Sequence, residues 1–85
     1  MKSFEYTVTD PAGIHARPAG LLAKKAKEFE SEIRIQKGEK SALATRLMAV
    51  MGLCIKCGDA ITVTVSGNDE EAAAEAMQSF FAAQL

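Results

Sequence analysis

Three times in a chain of 85 residues, apolar side chains alternate with polar ones: Phe4, Tyr6 and Val8; Ile33 and Ile35; Ile61, Val63 and Val65. Successive side chains of an extended segment point to opposite faces, so each segment has one face to bury and one that water can cover. Strands of this kind build a sheet that needs a cover on one side only, and the cover must come from the same short chain. With 48% hydrophobic residues, 85 residues support one domain spanning 1–85 around a single core. A large substrate pocket would hollow that core out.

Helical segments supply the cover. Asp10-Pro11-Ala12-Gly13 carries turn chemistry. Beyond it, Pro18 suits a first helical turn, and Pro18, Leu22, Ala26 and Phe29 repeat at helical spacing, which predicts a helix from about Ala16 to Glu28. After the strand around Ile33 and Ile35, Lys37-Gly38-Glu39 makes a tight return to a short strand from Lys40 to Leu43. Residues 45 to 53 predict a second, nine-residue helix, with positions 47, 50, 51 and 54 on one face and Met48 on another. Val50 and Leu47 read as its core residues. Gly58-Asp59 breaks the chain before the strand of Ile61, Val63 and Val65. Asn68 with Glu71 three residues later resembles a capping box opening a third helix, whose inner face is Ala73, Ala76, Met77 and Phe80. The order β-α-β-β-α-β-α predicts an α+β fold, a four-stranded antiparallel sheet with helices on one side.

Several function classes are excluded by charge and composition. A net charge of -1 offers a nucleic-acid backbone little attraction. RNA readout on an open sheet uses stacked aromatics, and here they are 6% of residues, with Phe4 and Tyr6 needed for the core. No run is apolar and long enough to cross a bilayer and no leader precedes the first strand, so a cytoplasmic protein without membrane contact is expected. Cys54 and Cys57 form a C-x-x-C, and reduced thiols are expected of them. Redox catalysis favours a cysteine at a helix N-terminus, whereas Cys54 is expected at the C-terminal end of the second helix, where the dipole opposes a thiolate. A zinc site needs four ligands, and His15 lies in a different loop, so no metal is expected.

The segment that carries chemistry is Gly13-Ile14-His15-Ala16-Arg17-Pro18-Ala19-Gly20. Its histidine, the only one in the chain, stands where a turn meets a helix. The free N–H groups of Ala16 and Arg17, with the positive end of the helix dipole, make an anion site that favours a phosphoryl group by roughly 0.3 to 1 kcal/mol per charge. A neutral imidazole has the lone pair that attack on phosphorus requires. Arg17 adds a planar cation suited to phosphate or carboxylate. The bland alternative, a histidine capping a surface turn beside a solvated arginine, is compatible with the same spacing. The absence of an acid–base pair argues against an ordinary enzyme active site.

Gly-Ile-His-Ala-Arg-Pro-Ala followed by Leu-Leu resembles the signature of the HPr family, the histidine phosphocarriers of the bacterial phosphotransferase system. The likeness spans the chain, including Lys-Ser-Ala at 40 to 42 and the Gly-Asn-Asp-Glu-Glu-Ala start of the last helix. The resemblance implies an open-faced β-sandwich with strand order 1-4-2-3 and three helices on one face. It further implies a monomer that takes a phosphoryl group from Enzyme I on the ring nitrogen of His15 nearer the backbone, with Arg17 assisting. IIA proteins of sugar transporters would then accept the group, and the carrier needs no cofactor, metal or nucleotide. The family's docking surface maps onto Gly20, Lys24, Lys27, Leu47, Met48 and Met51, and methionines suit a surface that repacks against several partners. An HPr-like regulator that controls a transcription factor or enzyme would use the same surface.

One departure from the family stands at Arg46, where many relatives have a regulatory serine. A guanidinium cannot be phosphorylated, and Thr45 is turned away by about 100° of helix. Whether Thr45 or Ser41 is modified instead is left open by the residues. Arg46 adds a permanent positive charge to the docking surface, which favours acidic partners in a salt-sensitive way.

Overall fold

The computed structural model describes the whole chain, Met1–Leu85. In chain order it contains β1 (Lys2–Thr7), α1 (Ala16–Ala26), β2 (Glu32–Lys37), β3 (Lys40–Leu43), α2 (Leu47–Met51), β4 (Ala60–Ser66) and α3 (Glu70–Gln84). The strands form one antiparallel sheet in the order β1-β4-β2-β3. Fold class, element order and strand order are those expected.

Register turns the alternation of the strands into a layer. Phe4 pairs with Val63, Val63 with Ile35, and Ile35 with Ala42, while Tyr6 lies opposite Ile61 and Val65 opposite Ile33. These residues share one face. Ile33, Ile35, Ala42, Ile61, Val63 and Val65 are buried there, with Phe4 and Tyr6 packed at the margin. The same registers align Ser3, Thr64, Arg34 and Leu43, and Glu5, Thr62, Gln36 and Ser41, on the bare face.

The helices close the core from one side. α3 lies over β1 and β4, α2 beside β3, and α1 between the two helices. Leu22, Val50, Met77 and Phe81 are wholly buried, each worth roughly 1.5–3 kcal/mol of apolar burial. Phe81 meets Phe4 and Tyr6 with ring centroids 6.0 and 5.6 Å apart, which ties the last helix to the first strand.

Five expectations are corrected. α1 stops at Ala26, and Lys27 caps it, so the helix is shorter than Ala16 to Glu28. α2 has five residues, not nine; Thr45 and Arg46 precede it, and Arg46 is its N-cap with an extended backbone. Only Val50 of its apolar positions is fully buried, Met51 is half-buried, and Leu47 is 37% exposed, because so short a helix presents a single row to the sheet. Cys54 lies beyond the helix in a loop, with φ at 53°.

The last correction concerns the start of α3. Its N-cap is Asp69, and no Asn68–Glu71 capping box forms. Asp69 instead accepts the backbone N–H groups of Glu30 and Ser31, both at 2.9 Å, and the Ser31 hydroxyl. Glu70 reaches back to the Gly67 N–H at 3.3 Å. Gly67 itself packs so closely that a Cβ there would lie 2.6 Å from the Ser31 Cα.

Candidate functional site

The loop from β1 to α1 is held from two sides. Thr9 and Asp10 both donate their backbone N–H to the Leu85 carbonyl, at 2.7 and 2.8 Å, and the Thr9 hydroxyl donates to it at 2.9 Å. Asp10 then organises the turn: its carboxylate accepts the Ala12 N–H at 2.8 Å and its carbonyl accepts the Gly13 N–H at 2.8 Å. On the other side, the Ile14 N–H donates to the Ile55 carbonyl at 3.0 Å. Gly13 makes that approach possible. Its φ is 68°, and a Cβ would overlap the Ile55 carbonyl oxygen and lie 2.7 Å from the Lys56 Cα.

His15 follows as the N-cap of α1, in an extended conformation, with its side chain exposed and making no cap hydrogen bond. The first helical bond runs from Ala19 N–H to the His15 carbonyl at 3.0 Å. The amides of Ala16 and Arg17 precede it and find no acceptor in the chain, and Pro18 has no N–H to satisfy. No acid stands in the first turn of α1. The helix therefore begins with two free donors and the positive end of its dipole beside an exposed imidazole, an arrangement able to receive an anion.

Arg17 shares a shallow depression with His15, lined also by Asp10, Pro18, Leu21 and Gln84. Along α1, Arg17, Gly20, Leu21, Lys24 and Lys27 recur at three- and four-residue steps and so share a face. Leu21 was not expected there. The signal was available, since it stands four residues after Arg17, and its 41% exposure marks it as part of the surface and not of the core. α1 packs against α2, which adds Met48 at 75% exposure, Leu47, half-buried Met51 and exposed Arg46. None of Arg17, Lys24, Lys27 and Arg46 has an ion pair within the chain, although Lys2, Lys25, Arg34 and Lys37 each do. The candidate residues are thus brought to α1 and α2 as four unpartnered cations with exposed Leu and Met side chains among them.

The backbone supports of the loop carried no signal in sequence. Ile55 and Leu85 act through their carbonyls, which any residue possesses. Asp59 anchors the segment that presents Ile55: its carboxylate accepts the Lys56 N–H at 2.8 Å and pairs with the Lys37 ammonium at 3.0 Å. Those two contacts, the backbone one first, lower its pKa from the usual aspartate value.

Comparison with known proteins gives this geometry a family. Residues 2–83 match the family model described as the PTS HPr component phosphorylation site. The phosphocarrier protein HPr of Lysinibacillus sphaericus is 47% identical over 77 residues, 91% of this chain and 88% of that protein. The HPr-like protein Crh of Halalkalibacterium halodurans is 44% identical over 68 residues, 80% of this chain and 81% of that protein. Among solved structures, the histidine-containing phosphocarrier protein of Mycoplasma superposes with a TM-score of 0.90 at 40% identity, covering 93% of this chain and 90% of the other. With the model spanning nearly the whole sequence and the fold in agreement, the chain belongs to the HPr family of phosphotransferase-system phosphocarriers.

Proposed function

We infer that this protein accepts a phosphoryl group from Enzyme I on Nδ1 of His15 and delivers it to IIA proteins of sugar transporters. The observation that carries the reading is the exposed, uncapped His15 imidazole at a helix N-terminus whose Ala16 and Arg17 amides are free. In the acceptance step the Nδ1 lone pair forms the N–P bond while the bond to the donor breaks, and donor and acceptor stay in line. The Ala16 and Arg17 amides and the Arg17 guanidinium spread the charge of the transferred group. Delivery is the same displacement with the IIA protein as nucleophile. Gly20, Lys24, Lys27, Arg46, Leu47, Met48 and Met51 form the docking surface, cationic at its rim and apolar between, suited to acidic partners. The protein acts as a carrier, a single domain over residues 1–85 that works as a cytoplasmic monomer. No helix is long and apolar enough to cross a membrane.

The test is incubation with phosphoenolpyruvate and Enzyme I from the same host, followed by intact mass. One added phosphoryl group, lost in acid, stable in base and absent from His15→Ala, is the expected result. The similarity to Crh favours a second reading, a regulatory module whose partners bind the unmodified chain, and the absence of any adduct would select it. Arg46 leaves no hydroxyl for a kinase at its position. The rate of transfer to a IIA protein is expected to fall more steeply with salt for the native chain than for Arg46→Ser, and equal slopes would remove Arg46 from the docking surface.

A further inference from the structure

The outer side of the β1–α1 loop presents His15; its inner side rests on the segment between α2 and β4, which carries both cysteines of the chain. Cys54 and Cys57 are exposed and unbridged. Between them Ile55 is buried and Lys56 exposed. The bond that seats the residue before His15 comes from inside the pair, since Ile14 N–H donates to the Ile55 carbonyl at 3.0 Å. Gly13 packs on the same peptide unit, 2.7 Å from the Lys56 Cα for a Cβ built on it. Cys57 Sγ approaches the Thr9 carbonyl at 3.7 Å, and Gly58 N–H donates to the Val8 carbonyl at 2.7 Å. The C-x-x-C segment is therefore the floor under residues 8 to 14.

That floor is not shaped for a closed ring. Cys54 sits in the left-handed region at φ 53°, which side chains other than glycine seldom adopt, and its carbonyl accepts the Lys37 ammonium at 2.8 Å, with no turn hydrogen bond running from the Cys57 N–H to it. A disulfide brings its two Cα atoms within about 7 Å and, across two intervening residues, imposes a tight turn. Closing it reorients the Ile55–Lys56 peptide and takes the Cys57 thiol away from Thr9. We propose that Cys54 and Cys57 are a reversible disulfide site for low-molecular-weight disulfides, and that closing it releases the Ile14 seat and disturbs the placement of His15.

The chemistry balances without metal or cofactor. The thiolate of one cysteine attacks a sulfur of the small disulfide, whose S–S bond breaks and releases one small thiol. The second cysteine then attacks the protein sulfur of the mixed disulfide, forming the internal S–S bond and releasing a second small thiol. Two protein thiols are oxidised, and their two electrons and two protons end on the two small thiols.

The coupling to phosphoryl transfer rests on the function proposed for His15; ring closure and the change at Ile14 do not. The full chain is incubated with glutathione disulfide and followed by intact mass and backbone amide exchange. The expected product has lost the mass of two hydrogens and exchanges the Ile14 amide roughly tenfold faster, as one lost hydrogen bond implies, with full reversal by dithiothreitol. Cys54→Ser and Cys57→Ser each stop at a single glutathione adduct and keep slow exchange at Ile14. A chain that collects two adducts without closing overturns the site, and a closed ring with unchanged Ile14 exchange overturns its effect on the loop. If the ring closes and Ile14 is released while phosphoryl uptake runs at the same rate before and after reduction, the link to His15 is overturned; a reduced chain that takes up no phosphoryl group counts against the His15 reading instead.

Discussion

α1 and α3 both begin with free amides and the positive end of a dipole, and the two ends are treated in opposite ways. At α3 the chain supplies its own anions. Glu70 accepts the Gly67 N–H and the Met1 amine, the latter at 2.6 Å, Glu71 stands 3.6 Å from Lys2, and the Asp69 carboxylate ties the helix start to Glu30 and Ser31. At α1 no acid stands in the first turn, and the amides of Ala16 and Arg17 wait unpaired beside His15. Identical backbone physics thus serves stability at one end and is left open for an external anion at the other.

The strongest way to break this contrast is at the glycines on which both ends rest. Gly13→Ala and Gly67→Ala place a Cβ on the Ile55–Lys56 peptide and on Ser31 respectively, at φ values of 68° and 154°. Each is expected to cost roughly 1–3 kcal/mol in urea unfolding. Only Gly13→Ala should also slow phosphoryl uptake beyond what lost folded population explains. Next, Ala16→Glu gives α1 the acid that α3 already has. Phosphoryl uptake is expected to fall about tenfold, because a carboxylate near an incoming dianion costs on the order of 1–2 kcal/mol even in water. Thermal unfolding should meanwhile show α1 unharmed or slightly stabilised, and an unchanged uptake rate would show that the open terminus is not where the anion sits.

The smallest effect is the pH dependence at the closed end. Asp69 is lowered from its usual pKa by the Ser31 hydroxyl and the Glu30 and Ser31 amides, and Glu70 by the Met1 amine and the Gly67 amide. Folded values below unfolded ones mean that both groups stabilise the fold fully above the unfolded pKa and lose that contribution as pH falls through the folded one. Asp59 behaves alike for its own reasons. The urea midpoint is therefore expected to decline below about pH 4, and less steeply in Asp69→Asn. An equal decline in that variant would place the acid sensitivity elsewhere.

The alternating strands and α1 were legible because long-range packing only has to agree with a pattern already present in Phe4–Val8, Ile61–Val65 and Pro18–Ala26. α2 was harder: apolar residues at 47, 50 and 51 suggest a longer helix with Leu47 and Val50 in the core, yet a single turn and a half fully buries only Val50. Local rules also misassigned the start of α3, since Asn68 and Glu71 fit a capping box while Asp69 found a tertiary partner, Ser31, 38 residues away. At the candidate site, His15, Arg17 and the free amides could be read from the junction of turn and helix. The carbonyls of Ile55 and Leu85 could not, because backbone acceptors leave no mark on a sequence.

The bare side of the sheet, with Ser3, Glu5, Gln36, Ser41, Thr62 and Thr64 in rows, gives the molecule a back that owes nothing to the helical layer or its loops. A cysteine-free variant carrying one new anchoring group on that back could be tethered to a sensor surface with α1, α2 and His15 all facing outward. Every copy would then present the same face to a passing partner, and the sheet would serve as a handle as well as a floor.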